Sequence, residues 1–206
     1  MRTPGRDPRA ELVEAGARVL AEEGPRALSA RSLARAAGTS TMAVYTHFGG
    51  MPAVVRAIIQ EGFARLAAEL ATVPSTDDPV ADCVALGLAY RRAAHREPHL
   101  YRAMFGFELT EEDRAVGLST LRVARDLMPR CIEAGRFQAA DPWVLTRQAW
   151  CLVHGLVSLE LAGFYAGLPA GDAEFVRYLE AFAVGAGDTP ERAAESAARA
   201  CALSRP

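Results

Sequence analysis

The side chains best suited to binding chemistry lie close together near the amino terminus. Hydroxyl, imidazole and thioether groups occur within one short segment, at Thr41, Met42, Tyr45, Thr46 and His47. Such groups can hydrogen-bond base edges or phosphate oxygens, and a thioether can touch a thymine methyl group. Plainer roles exist for two of them, since Thr41 can assist a helix cap and Tyr45 can pack against an earlier helix. The segment therefore predicts contact with a nucleic acid.

Two short helices are needed to position these groups. Ser29 and Ser40 are residue types that cap helix starts, and Gly38 between them can take the left-handed conformation that ends a helix. Val44 and Phe48 are four residues apart and therefore share one face, which leaves the polar groups largely on the other. Two helices joined by a tight glycine turn form a helix-turn-helix, whose second helix enters the DNA major groove.

The spacing resembles the amino-terminal signature of the tetracycline-repressor-like (TetR) transcriptional regulators. The matching positions are Ser29, Leu33, Ala34, Ala37, Gly38, Ser40, Ala43, Val44, Tyr45, His47 and Phe48. From helix-turn-helix geometry and this register, the predicted DNA-contacting set is Ser29, Arg31, Ser40, Thr41, Met42, Ala43, Tyr45, Thr46 and His47. Within it, the first residues of the second helix face base edges, and the remainder contact phosphates or position the helix. Arg31 is equally well explained as a solvated surface residue.

One junction departs from the family pattern. Family members usually begin the next helix with a short Ser-Lys-Glu-like segment, whereas this chain reads Gly49-Gly50-Met51-Pro52. A lysine expected at Met51 to contact the DNA backbone is therefore missing. We expect the phosphate contact there to be weaker or to come from main-chain groups.

A second resemblance lies in the carboxy-terminal half. The segment from Trp150 to Gly155 resembles the Trp-x-x-x-His-Gly signature of one TetR-family ligand-binding and dimerisation domain, with Trp150 and His154 on one helix face. The resemblance implies a homodimer in which helices near 141–166 and 172–186 pair with their copies in a second subunit. It also implies a small-molecule effector, which we expect to be apolar or aromatic.

An effector pocket is predicted from bulky side chains that carry few polar groups. Candidates are Tyr90, Leu100, Tyr101, Met104, Phe105, Phe107, Met128, Trp150 and His154, and the preferred six are Tyr101, Met104, Phe105, Met128, Trp150 and His154. Apolar residues at helical spacing fill protein interiors by default, so each of them is also explained as core. For His154 a role as a core or interface histidine is the preferred interpretation.

Composition is that of a soluble protein with a slightly basic head. The chain has 206 residues and a net charge of −2, and its 23 basic residues are all arginine. Residues 1–50 contain seven arginines and five acids, so the positive excess of two lies with the helix-turn-helix. No signal-peptide-like start and no apolar run of about 20 residues occurs, which predicts a cytoplasmic protein without a membrane partner.

The sequence favours neither catalysis nor metal or cofactor binding. It contains no Gly-x-Ser-x-Gly, Walker or dinucleotide motif. Its four cysteines are scattered, which suggests inert thiols rather than a zinc site or disulfides. His95 and His99 are four apart, but Pro98 between them argues against one continuous helix and hence against a shared metal.

Helical patterns cover the whole chain and predict an all-α fold. Residues 1–50 form the expected three-helix head, with helices at 7–23, 30–37 and 41–48, and residues 51–206 form a helical effector-binding and dimerisation domain. Asp7 with Pro8 starts the first helix, and a longer helix runs from Pro52 to about Thr72. Further helices are expected at 79–95, 98–106, 111–134, 141–166, 172–186 and 189–203, separated by Gly135, Gly167, Gly171 and Gly187. Pro129 should kink or split the helix at 111–134.

Together these features predict a ligand-responsive DNA-binding regulator. The preferred form is a homodimeric repressor that a small-molecule effector releases from a palindromic operator. A transcriptional activator or an effector-free DNA-binding protein is the first alternative. A helical small-molecule-binding protein or an enzyme with a vestigial head is the second.

Overall fold

The fold is built from α-helices and short connections. The computed structural model describes residues 7–166 and 171–203, and the regular elements of those two ranges are all helical. The helices are α1 Pro8–Glu23, α2 Ala30–Ala36, α3 Thr41–Phe48, α4 Met51–Leu70, α5 Pro79–Arg96, α6 Pro98–Phe105, α7 Glu111–Thr120, α8 Arg122–Glu133, α9 Pro142–Leu161, α10 Asp172–Ala186 and α11 Pro190–Leu203, with a 3₁₀ turn at Pro25–Ala27.

Several helix starts follow directly from local chemistry. Asp7 accepts a hydrogen bond from the backbone N–H of Arg9 at 3.0 Å, and Pro8 occupies the first helical position of α1. Asp141 does the same for α9, accepting from the N–H of Trp143 at 2.7 Å. The predicted aspartate-proline start of the first helix is confirmed.

The helices form two compact units. One unit runs to Arg65 and resumes over Glu97–Leu118, and the other comprises Leu66–Arg96 and the chain from Ser119 onward. The chain therefore passes from one unit to the other inside α4, between α5 and α6, and inside α7. The predicted division of the chain into a head at 1–50 and a second domain from residue 51 stays a prediction.

The first unit has a core made by α1, α2, α3, the first half of α4 and α6. Leu12, Leu33 and Val44 from the first three helices are fully buried together with Ile58 of α4. A Cβ atom at Gly16 of α1 would lie 2.6 Å from Cδ1 of Ile58, so the end of the Ile58 side chain packs directly on the glycine and would have to shift to admit a larger residue. The core fixes the orientation of α2 and α3, which carry the predicted DNA-contacting residues.

The second unit combines an apolar core with a buried ionic cluster. Val80, Met128 and Phe137 belong to the core. Near it, Arg136 forms ion pairs with Asp78 at 3.2 Å and Asp188 at 2.5 Å. These charges are almost fully buried, so each must be compensated by its partners.

One helix boundary differs from the prediction. The pattern at 111–134 is divided at Leu121, between α7 and α8, whereas α8 continues through Pro129 to Glu133. Of the two expectations for Pro129, a kink or a split, the helix is not split there. Gly117, Ser119 and Thr120 precede the break, and all three are poorer helix formers than the alanine and leucine common elsewhere in the chain. The predicted break at Gly167 lies outside the described residues.

Candidate functional site

A polar surface covers one face of α3. Thr41, Met42, Tyr45, Thr46 and His47 are exposed there, and the exposed fractions of Met42 and Tyr45 are 71% and 52%. Exposure of this degree means that the side chain of Tyr45 does not use all its surface in packing within the chain. The face is thus available to a partner.

The opposite face and both ends of α3 fix its position. Val44 is completely buried in the core of the first unit, and Phe48 packs against that core. The Ser40 hydroxyl accepts a hydrogen bond from the N–H of Ala43 at 3.2 Å, which caps the start of the helix. Gly49 ends it with a left-handed backbone, at φ 71°. These features hold the exposed face rigidly.

The start of α2 is capped by reciprocal hydrogen bonds. The Ser29 hydroxyl accepts from the N–H of Ser32 at 3.1 Å, and the Ser32 hydroxyl accepts from the N–H of Ser29 at 2.9 Å. Arg31 is exposed beside them. The predicted cap at Ser29 is confirmed, and Gly38 after α2 has the predicted left-handed conformation, at φ 64°.

Two contacts refine the sequence-based interpretation of this surface. The Thr46 hydroxyl donates to the backbone carbonyl of Met42 at 2.9 Å, so only its acceptor lone pairs face outward. Met51, where the family pattern leads one to expect lysine, is half-buried and packs against the core of the first unit. This junction therefore contributes packing where a lysine would contribute charge.

The second unit contains an apolar cavity of about 60 Å³. Its walls come from α5, α8, α9 and α10, together with the end of α4, the end of α7 and the α8–α9 connection, and they include Cys83, Met128, Phe137, Trp150 and Phe182. One water needs roughly 10–15 Å³ measured in this way, whereas an engineered cavity that binds benzene measures about 150 Å³. The cavity in this conformation thus admits molecules smaller than benzene.

A short row of polar groups borders the cavity. The indole N–H of Trp150 donates to the Tyr90 hydroxyl at 3.4 Å, and that hydroxyl lies 3.4 Å from Nδ1 of His154. The hydroxyl of Ser158 lies 3.5 Å from Nε2 of the same imidazole. Tyr90 and Trp150 line the cavity, whereas His154 is not part of its lining and contacts the Tyr90 hydroxyl.

Burial lowers the pKa of His154 below its ordinary value. The imidazole is therefore neutral near pH 7 and offers one N–H and one acceptor nitrogen. Polar recognition at this wall would consequently rest on neutral hydrogen bonds.

The predicted pocket residues are divided between the two units. Met128 and Trp150 line the cavity of the second unit, whereas Tyr101, Met104 and Phe105 belong to the first unit and do not line this cavity. The three residues of α6 face α1 and α4, because α6 turns its apolar side to these helices. The effector-binding role of the six residues stays a prediction. The rings of Tyr101 and Phe105 pack edge to face with centroids 5.3 Å apart, and the Phe105 ring packs similarly on Phe63 at 6.0 Å.

Family comparisons cover both parts of the chain. Residues 12–58 match the family described as bacterial regulatory proteins of the tetR family, and residues 83–183 match the tetracyclin repressor-like carboxy-terminal domain. The chain belongs to the TetR family. It is accordingly a DNA-binding transcriptional regulator.

Solved structures share the fold of this TetR-family chain over most of its length. A protein of unknown function from Rhodococcus sp. RHA1 is 25% identical with a TM-score of 0.76, and the match covers 91% of this chain and 100% of that one. The TetR-family regulator PfmR from Thermus thermophilus is 21% identical with a TM-score of 0.72, covering 84% and 97% respectively. RolR, solved with resorcinol, is 21% identical with a TM-score of 0.59, covering 97% and 94%. Proteins of curated function give no significant sequence match.

Over residues 7–166 and 171–203, no three His, Cys, Asp or Glu side chains are grouped so that they could hold a metal ion. His95 lies at the end of α5 and His99 in α6, so the two imidazoles do not share a helix. Across those ranges no helix is both long and apolar enough to cross a membrane.

Sequence reasoning missed several residues of the cavity in this TetR-family chain. Cys83, Phe137, Leu179 and Phe182 line it and were not among the candidates. Each lies on an apolar helix face or connection, and periodicity does not distinguish a wall of a cavity from a filled core. The spacing of the cysteines along the chain likewise did not indicate a pair, because Cys83 approaches Cys131 only when α5 and α8 pack together.

Proposed function

We propose that this chain is a homodimeric repressor that binds a palindromic operator, and that a small-molecule effector releases it from the DNA. The observation that supports this most is the exposed polar face of α3, whose opposite face is packed in the core of the first unit. Two such helices in a dimer would read half-sites about one helical turn, or 34–36 Å, apart. The effector would bind in the second unit.

DNA reading would divide between base and phosphate contacts. Thr41 and Met42 lie at the start of α3, the part of a recognition helix that reaches base edges. Tyr45 and His47 lie further along the same exposed face and would hydrogen-bond phosphates, which positions the protein without reading sequence. Ser29 and Arg31 at the start of α2 would add a phosphate contact. Ser40 and Ala43 would position α3, and Thr46 would contribute an acceptor.

Release of the DNA by an effector would depend on enlargement of the cavity. The neighbour RolR was solved with resorcinol, and the apolar lining with the polar row from Tyr90 to Trp150 would suit the chemistry of a small aromatic molecule of that kind. The present volume of about 60 Å³ is too small for such a ring, so the surrounding helices must separate before it enters. An effector that requires the enlarged state binds the two states unequally, which is the condition for shifting their populations.

Dimerisation would use α9, α10 and the turn between them. Val144, Leu159, Phe164, Tyr178 and Val184 are large apolar residues exposed on these segments, with exposed fractions of 37–71%. A Cβ atom at a glycine on the same helices, 155 or 185, would meet no atom within 4 Å, so the surface there is open to a second backbone.

Sedimentation of variants with charges introduced at the interface tests the proposed dimer. Replacing Leu159 and Val184 by Glu should convert the dimer to monomer, because two carboxylates would be buried without partners. Leu118→Glu provides the matched control, since Leu118 is 49% exposed in the first unit. A double variant that sediments like the wild type would refute this interface.

DNA binding is tested by gel shift with the DNA that flanks the gene. Tyr45→Ala combined with His47→Ala should weaken binding about ten- to a hundredfold per head, given roughly 0.5–1.5 kcal/mol for each hydrogen bond lost. Arg122→Ala, an exposed change in α8, should leave affinity unchanged. Circular dichroism must show that both variants fold. Unchanged affinity in the double variant would contradict the assigned contacts.

A further inference from the structure

Two cysteines from different helices meet beside the cavity. Cys83 of α5 and Cys131 of α8 place their sulfur atoms 3.8 Å apart. Cys83 lines the cavity and is partly exposed, whereas Cys131 is completely buried. Sulfur atoms in van der Waals contact need only a further approach to about 2.0 Å to bond.

We propose that Cys83 and Cys131 are an oxidant-sensing thiol pair, which a peroxide entering the cavity converts into a reversible disulfide. The remaining cysteines provide no comparable pair: Cys151 is exposed on α9, and Cys201 is partly exposed on α11. This inference does not depend on DNA binding, because it concerns only the second unit.

The geometry assigns the order of the two steps. Hydrogen peroxide is small enough for a cavity of about 60 Å³, since a water requires roughly 10–15 Å³ on the same measure. The sulfur of Cys83 attacks one peroxide oxygen, the O–O bond breaks, and the other oxygen leaves as water, which produces a sulfenic acid. The sulfur of Cys131 then attacks that of Cys83, the S–S bond forms, and the S–O oxygen leaves as a second water with the proton of Cys131. The two thiols thus supply the two electrons that reduce the peroxide.

The surroundings make the reaction slow at neutral pH. The neighbouring Cys131 thiol, together with burial and the nearby carboxylate of Asp82, raises the pKa of Cys83, while Arg130 opposes this effect. Because the thiolate is the nucleophile, the rate of oxidation should increase about tenfold per pH unit below the pKa. The pair should therefore be oxidised faster as the pH rises.

The disulfide would change the cavity itself. The bond draws α5 toward α8, and both helices contribute to the wall, through Cys83 and Met128. Oxidation is therefore a second means, besides an effector, of altering the volume of the cavity.

Peptide mapping of the full-length protein tests the proposal. Native protein is treated with hydrogen peroxide, denatured, alkylated and digested. We expect a linked peptide that joins Cys83 to Cys131, which dithiothreitol separates. The variants Cys151→Ser and Cys201→Ser should give the same linked peptide. Protein in which both proposed partners are alkylated after peroxide, while Cys151 or Cys201 is oxidised, would overturn the proposal.

A second variant identifies the residue that reacts first. In Cys131→Ala the sulfenic acid has no partner, so dimedone should label Cys83 after peroxide treatment. Labelling in Cys83→Ala at residue 131 instead would refute the assigned order. The linked peptide in the wild type is measured independently of whether either variant folds.

Discussion

Replacing Arg136 by alanine should destabilise the second unit far more than replacing the exposed Arg199, which pairs with the same aspartate. The guanidinium is 8% exposed and forms hydrogen bonds to Asp188 at 2.8 and 2.5 Å, to Asp78 at 3.2 Å and to the hydroxyl of Ser196 at 2.9 Å. The two carboxylates are themselves only 0% and 8% exposed. Removing the cation leaves them buried without their main compensating charge.

The expected loss follows from that burial. Removing one partner of a buried ion pair typically costs about 3–5 kcal/mol, a large part of the roughly 5–15 kcal/mol by which a domain is stable. Arg199 provides the matched control, because its guanidinium approaches the same Asp78 at 3.5 Å but is 62% exposed. Arg199→Ala should cost about 0–1 kcal/mol, as exposed pairs do.

Urea unfolding followed by tryptophan fluorescence measures both variants. The chain has two tryptophans, Trp143 and Trp150, and both lie in the second unit, so the signal reports on that unit. Arg136→Lys should fall between wild type and alanine, since it keeps the charge but loses the fork of donors. If Arg136→Ala lowers the free energy of unfolding no more than Arg199→Ala does, the argument from buried charge is refuted.

Three further predictions concern stability. Ser40→Ala should lower the free energy of unfolding of the first unit by about 1 kcal/mol, because the N–H of Ala43 loses its cap, and Ser40→Asp should restore it in urea titration. Gly49→Ala should lower the free energy of unfolding by about 1–2 kcal/mol, because Gly49 has a left-handed backbone conformation that alanine adopts poorly. Gly49→Asn should lower it clearly less, and equal losses would contradict this conformational cause. Burial alone raises the pKa of Asp78, but bonds from the Ala81 N–H, the Ser196 hydroxyl and Arg136 outweigh it and hold the pKa below its ordinary value of 3.8. At pH values above 3.8, ionised Asp78 therefore stabilises the folded chain. This stabilisation is lost as the pH falls through the lower pKa that Asp78 has in the folded state, so Asp78→Asn should flatten the acid side of a curve of unfolding free energy against pH.

Local signals in the sequence were sufficient to predict most of the helices. Caps such as Ser29 and Ser40 act within three residues, and Gly38 ends α2 through its own backbone, so neither requires knowledge of the rest of the chain. The break at Leu121 was not predicted. Weak helix formers precede it, whereas the stronger local signal is Pro129, where a kink or a split was expected and the helix continues.

The candidate site was only partly predictable, for a physical reason. The exposed face of α3 follows from the spacing of Val44 and Phe48 on one helix. The cavity depends on how several helices pack. Tyr101 occupies a buried position on its helix, and the sequence around it is the same whether the side chain faces a cavity or a filled core. The meeting of Cys83 with Cys131 likewise exists only in three dimensions.

Selection of bound sequences from random DNA by the full-length protein tests the central proposal most directly. The account predicts enrichment of a palindrome whose half-sites lie about one helical turn apart, with affinity that falls as salt rises. Thr41→Ala with Met42→Ala should change the selected half-site, whereas Tyr45→Ala with His47→Ala should weaken binding to every sequence alike. Failure to enrich any sequence, or selection of the same half-site by the Thr41 and Met42 variant, would contradict the assignment of α3 as the reading helix.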